Sequence, residues 1–397
     1  MKKIILKTLG AVVAVLALVP VVSCSDSDGV KNYEMNLSLT MPEGINASDV
    51  EDLIFVATKG TVSDTININA GEIANLTLPQ GQYTYVVSGK VKDDLTRRVI
   101  GTGSVDLFKA QTINLPLEIS YESPLIFKAI YTTGGKAGYV MDSYFEIVNN
   151  SDEVQYLDGL IISSPQGNQE HENGWQAAGI TNLYASGQGT VVAFPGVSGG
   201  KEYPIQPGES VVVANDAANH HDLAGDGTNC PDLSGADWEI YISNVTGEVD
   251  YPAPNLNVIF QNNAYMKAFG LGFFGRAYIL AKLPNGVSPE EFAAAPANLQ
   301  TTPNTTSTMQ YLMIPSKYVL DAVDIWDPDS ETHYSTFLSK DDAQGVLASD
   351  TWAGKMIRRK LSKQVGTRYY YQDTNNSSND FLRNQPVVPG WQPTVAE

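Results

Sequence analysis

Apolar positions recur every second residue in the first strand-like stretch of this chain. Tyr33, Met35, Leu37, Leu39 and Met41 alternate with Glu34, Asn36, Ser38 and Thr40, the period of a half-buried strand. Further strands are predicted at 53–58, 62–68, 73–78, 82–91, 99–107 and 112–119, separated by turn residues at the spacing of an antiparallel sandwich. Residues 33–120 therefore read as one small β-sandwich. Beyond Ser123-Pro124 a buried-type strand is predicted at 125–131. Residues 144–160 then read as a hairpin, two strands joined by the Asn149-Asn150-Ser151-Asp152 turn. A Pro207-Gly208 turn feeds the Val211-Val212-Val213-Ala214 strand, and further strands fall at 276–283, 318–326 and 356–360. The fold class is all-β: two consecutive antiparallel β-sandwich domains, the second over 121–397 with insertions at 165–200, 216–265 and 287–310.

The first 28 residues follow a different pattern. Lys2, Lys3 and Lys7 precede an apolar run from Ala11 to Val22, then Ser23-Cys24 and an acidic Ser25-Asp26-Ser27-Asp28. The run is shorter than the roughly 20 residues a spanning helix needs, and its basic flank is N-terminal. A small residue precedes a lone cysteine, which favours cleavage before Cys24. Residues 1–23 read as a lipoprotein signal peptide, and 24–32 as a lipidated Cys24 with a flexible tether.

Charge and cysteine content narrow the function classes. The chain has 397 residues, with 25 basic and 44 acidic side chains. Loss of the three leader lysines leaves 22 basic residues and a formal charge of −22. Nucleic acid is excluded as a partner, because the one compact basic cluster, Arg358-Arg359-Lys360, is too small to offset that field. With Cys24 carrying lipid, Cys230 has no intramolecular partner, so packing rather than disulfides holds the fold.

Motifs that carry chemistry elsewhere lack their context here. Gly270-Leu271-Gly272-Phe273-Phe274-Gly275 matches a dinucleotide fingerprint, but a strand rather than a helix is predicted after it. It reads instead as a glycine-rich turn admitting Phe273 and Phe274 to a core. Gly196-Val197-Ser198-Gly199-Gly200 has the spacing of a nucleophile elbow, yet Pro204 and Pro207 forbid the helix an elbow needs. His171, His220, His221 and His333 pair with no nucleophile and orienting acid. His220-His221-Asp222, with Asp226, Asn229 and Cys230, matches no standard metal spacing. Asp327, Asp329 and Glu331 form a better calcium candidate, because alternating carboxylates can converge from a turn. Trp175, Tyr184, Tyr203, Trp238, Tyr241 and Tyr251 sit in or beside the insertions, where exposed rings can stack on a glycan or anchor a protein. No cofactor is expected.

Two resemblances add to this reading. The segment Leu78-Pro79-Gln80-Gly81-Gln82-Tyr83-Thr84-Tyr85 resembles transthyretin-like and carboxypeptidase-regulatory-like modules, which implies an accessory sandwich without catalytic residues. The ordered segments YFEIVNNSDEVQYLDGL, QPGESVVVA, YVLDAVDIW, IRRK and DTNNSSNDF, within 125–386, resemble the lamin-tail domain, an immunoglobulin-like sandwich carried by lipoproteins of Bacteroidota. In such lipoproteins an acidic stretch after the acylated cysteine resembles a surface-export signal, which implies that role for Asp26 and Asp28. The expected function is a non-enzymatic binding or assembly component at the cell surface, held in outer-membrane lipid through Cys24 and facing a membrane protein or glycan. The alternatives are a secreted hydrolase with its site in the insertions, and a structural or adhesion module.

Overall fold

In the computed structural model, residues 30–393 are described apart from 61, 93, 168–169, 188, 226, 263–268, 270–271 and 273–274. Cys24, Asp26 and Asp28 lie outside them. The fold is all-β.

The first core is drawn from residues 33–119 alone. A three-stranded sheet, in the order Ala74–Pro79, Asn32–Thr40 and Gln111–Pro116, faces a five-stranded one. The larger sheet runs Val62–Asn67, Val50–Lys59, Gly81–Val91, Asp94–Leu107 and Glu118–Tyr121. Alternation decides which side chains meet: Met35 and Leu37 point inward from one sheet, Phe55 and Val87 from the other, and all four are fully buried. The stretch predicted as one strand at 112–119 is two strands in different sheets. Gln111–Pro116 pairs parallel with Asn32–Thr40, whereas Glu118–Tyr121 pairs with Asp94–Leu107. The switch follows Pro116, which has no amide hydrogen to continue a ladder.

A larger stack follows. One six-stranded sheet runs Trp238–Glu239, Ser210–Ala214, Tyr144–Asn149, Leu125–Tyr131, Lys355–Arg359 and Phe381–Pro386. The sheet facing it runs Asn257–Gln261, Thr190–Ala193, Leu160–Ser163, Gly275–Lys282, Val319–Trp326 and Val346–Leu347. Between them Phe145 touches the rings of Phe127, Phe269 and Tyr278, at centroid distances of 5.8, 5.6 and 5.2 Å. A third sheet, Leu183–Ser186, Gln310–Pro315 and Leu299–Thr301, packs on the outer side of the second, joining Tyr184, Leu312 and Ile314 to Ile161, Val191 and Ile279. The middle sheet is thus covered on both faces, which is why its strands read as continuous rather than alternating apolar runs.

Two expectations are corrected. Residues 144–160 are not a hairpin: Tyr144–Asn149 pairs with Leu125–Tyr131 and Ser210–Ala214, whereas Leu160–Ser163 lies in the facing sheet. The Asn149 carboxamide makes the difference, because it accepts from the Ser151 amide and donates to the Glu153 and Ile205 carbonyls. Those bonds turn the chain across the core instead of back along its own strand. The sheets are also mixed, with parallel pairs at Asn32–Thr40 and Gln111–Pro116, Ser210–Ala214 and Trp238–Glu239, and Val319–Trp326 and Val346–Leu347.

Charges inside the stack are tied together. Arg359, fully buried, donates to both Asp321 oxygens at 2.8 and 2.7 Å, and lies 3.3 Å from Asp373 and 3.4 Å from Asp380. It also donates to the carbonyls of Phe127 and Gln372. On the outer face of the first large sheet, Lys128 pairs with Glu146 at 2.5 Å and donates to the Trp391 carbonyl, so the C-terminal segment covers this ion pair.

Candidate functional site

A cleft of about 460 Å³ opens where the first sandwich meets the loop that follows strand Val319–Trp326. One wall is the outer face of the five-stranded sheet, where Thr84, Thr102 and Ser104 alternate with the core-facing residues of their strands. The opposite wall is the loop itself, carrying Trp326, His333, Tyr334 and Phe337, and Gln344 and Asp342 lie between the walls.

Local bonds fix the loop. The Asp327 carboxylate accepts from the Asp329 amide at 2.9 Å, and the Asp327 carbonyl lies 2.8 Å from His333 Nε2. This folds the imidazole onto the Trp326 indole, with centroids 4.8 Å apart and planes within 7°. Further along, the Asp324 carboxylate accepts from the Thr336 amide at 2.7 Å. Asp342, fully buried, accepts from the amides of Asp324 and Ser377, each at 2.8 Å, and from the Ser377 hydroxyl at 2.7 Å. Tyr184 and Phe337 pack edge to face at 5.1 Å, and the Tyr184 hydroxyl donates to Asp341. At the rim, Tyr334 donates to Glu172 at 2.8 Å; burial and that carboxylate push its phenol up to about 12. Gln176, which caps the short helix Gly174–Ala177, donates to the Ser335 carbonyl at 3.0 Å.

The two walls are joined. Gln344 Nε2 donates to Thr58 Oγ1 at 3.1 Å, Ser120 Oγ to the Lys340 carbonyl at 2.8 Å, and Asn375 Nδ2 to the Tyr121 carbonyl at 3.2 Å. Gln344 is 5 % exposed, and its Oε1 meets no donor among the described residues.

Burial pushes the Asp324 carboxyl up to about 6, against the lowering effect of the Thr336 amide. Asp342 is raised by burial as well, despite its Ser377 and Asp324 amide donors. A carboxyl raised in the fold keeps its proton after the unfolded chain, at about 3.9, has released its own. Its contribution is complete below pH ~4 and is lost as pH rises through about 6. For Asp324 that amounts to roughly 2–3 kcal/mol. Melting temperature is expected to fall between pH 4.5 and 7.5, with a shallower fall in Asp324→Asn; an unchanged slope in that variant would contradict the assignment.

Of the residues singled out from sequence, His333 lines the cleft and Asp327 and Asp329 fold its loop, whereas the others lie elsewhere. Trp175 is 1 % exposed and packs edge to face on Tyr311 at 5.0 Å. Trp238 is buried between Phe194 and Tyr203, Tyr184 lies in the core of the third sheet, and Tyr241 and Tyr251 are half-buried. Trp175, Tyr184, Trp238 and Tyr251 are thus divided among separate hydrophobic clusters. Asp327, Asp329 and Glu331 do not converge, because Asp327 is engaged by its own turn; among the described residues no group of three His, Cys, Asp or Glu side chains can hold a metal ion. His220 is buried between the Tyr139 hydroxyl and the Asp216 carbonyl, and its neighbour His221 faces Asp222. Cys230 is buried, and its thiol is pushed up to about 11 by burial. Asp226 lies outside the described residues, as do Phe273 and Phe274. Ser198 donates to the Leu283 carbonyl and is buried, so its hydroxyl is not presented as a nucleophile. The cleft residues Trp326, Tyr334 and Gln344 were missed, and His333 was weighed only as an imidazole base. Their signal is the His333-Tyr334-Ser335-Thr336-Phe337 run directly after an acidic turn, an aromatic loop at a strand end.

The match to known proteins falls on the same region. Residues 206–388 match the model of a protein family of unknown function, DUF4876. The chain is similar to a crystal structure of a DUF4876 family protein from Bacteroides thetaiotaomicron VPI-5482, with 28 % identity and a TM-score of 0.59. That similarity covers 91 % of this chain and 98 % of the other. The cleft loop lies inside the DUF4876 match; the hydroxyl-bearing wall lies before it. No curated protein matches the chain.

Proposed function

We propose that this chain is a lipid-anchored protein of the outer membrane's outer face, and that it holds a ligand there without transforming it. The observation that carries the reading is the cleft: its walls come from two separately built sheet systems, and its loop is fixed in advance by the buried Asp324 and Asp342. Ordering cost is met during folding, so binding there loses little to immobilisation. The basic, apolar and small-residue order before Cys24 supports the anchor. A multiply acylated cysteine holds a protein stably where a single chain does so only marginally. Asp26 and Asp28 support outward display. For the scaffold we propose a transthyretin-like first sandwich and a lamin-tail-like second one, on the segment order of 125–386. The partner is an outer-membrane protein or a glycan.

Cys24→Ala tests the anchor. Wild-type protein is expected in the membrane fraction, labelled by radioactive palmitate and digested when protease is added to intact cells. The variant is expected to lose the label and leave the membrane pellet. Equal recovery of both in the soluble fraction would overturn the reading.

A further inference from the structure

The lining of the cleft narrows its ligand. Among the described residues no lysine or arginine lines it, so an anionic group would enter without a counter-charge. Its two acidic side chains are engaged: Asp342 by four donors, from Ser377, Asp324 and Gln344, and Glu172 by the Tyr334 hydroxyl. A purely apolar ligand would strand the hydroxyls of Thr84, Thr102 and Ser104. What remains is a molecule with a flat apolar face on one side and neutral hydroxyls on the other.

We infer that the cleft takes a neutral saccharide, one ring face lying against the Trp326–His333 stack and its hydroxyls meeting Thr84, Thr102 and Ser104 on the opposite wall. Ring stacking suits a C–H face, because the aromatic π-face carries negative potential. Hydroxyl side chains donate and accept alike, matching sugar hydroxyls that do the same. At about 460 Å³ the space falls within the ~300–1,000 Å³ of small-molecule sites.

This inference rests on the cleft being the ligand site, and the test separates the two. The full mature chain, purified in detergent, is screened on an array of neutral and acidic glycans, and the best binder is titrated calorimetrically against wild type, Trp326→Ala and Ser104→Trp. Ser104 is exposed on its strand, so a tryptophan there fills the opening without entering a core; melting temperatures confirm that both variants fold. A neutral glycan is expected to bind, with affinity reduced about tenfold or more in each variant, equivalent to ~1.4 kcal/mol. An array without a neutral binder overturns the saccharide assignment. An acidic glycan that Ser104→Trp excludes would overturn the ligand class while leaving the cleft as the site. A neutral glycan that binds wild type and Ser104→Trp equally would remove the cleft itself.

Discussion

Arg359→Met is expected to destabilise the fold by about 3–5 kcal/mol, the cost of removing one member of a buried ion group. Among the described residues Arg359 is the cation paired with all of Asp321, Asp373 and Asp380, all four side chains being almost fully buried. Burial alone would lower the guanidinium, but the three carboxylates hold it above its ordinary value. With all groups ionised the cluster is already short of positive charge, and burial pushes Asp321 up to about 7. Without Arg359 the remaining carboxyls must take up protons or admit water. The Phe127 and Gln372 carbonyls lose their donor in addition. Because Arg359 connects Leu125–Tyr131 to Val319–Trp326 through Asp321, the loss loosens the contact between the two large sheets. Urea denaturation followed by tryptophan fluorescence gives the number. A loss under about 1 kcal/mol would show that the cluster does not join the sheets.

Asp342→Ala is the second large effect, on the order of 3 kcal/mol, because several buried donors lose their acceptor together. The amides of Asp324, Ser377 and Gln344 and the Ser377 hydroxyl all point at its two oxygens. Asparagine is no conservative replacement, since each oxygen accepts from at least one backbone N–H. Turning the carboxamide either way sets an N–H against an N–H, so Asp342→Asn is expected to lose a large part of the same energy. The consequence extends to the site: Asp342 anchors the segment that carries Gln344 to Thr58. Thermal melts combined with proteolysis are expected to show a lower melting temperature and new cleavage within 327–345. A melt shifted with no new cleavage would place the role of Asp342 in the core alone.

Strand existence was legible in the sequence because period-two alternation is a local property. Tyr33 to Met41 announced its strand directly, and Leu125–Tyr131 announced a strand buried on both faces. Partners were less legible. The Asn149 to Asp152 stretch has turn chemistry that suits a hairpin, and only the reach of the Asn149 carboxamide to the Ile205 carbonyl, 56 residues away, shows that it crosses between sheets. The cleft was hidden for a related reason, since its walls come from residues 84–104 and 326–344, far apart in the chain. Loop aromatics were legible as a class, but membership was not: Trp175 and Trp238 have burial partners that no spacing announces, whereas Trp326 ends a strand whose loop folds back over it.

Hydrogen–deuterium exchange tests the central claim most directly, read across the detergent-purified chain with and without outer-membrane vesicles and spent medium from cells lacking the protein. Slower exchange at 84–104 and 326–344, with the remainder unchanged, is the predicted result. Protection elsewhere with those two segments unchanged would contradict the cleft as the place where this protein takes hold of its partner.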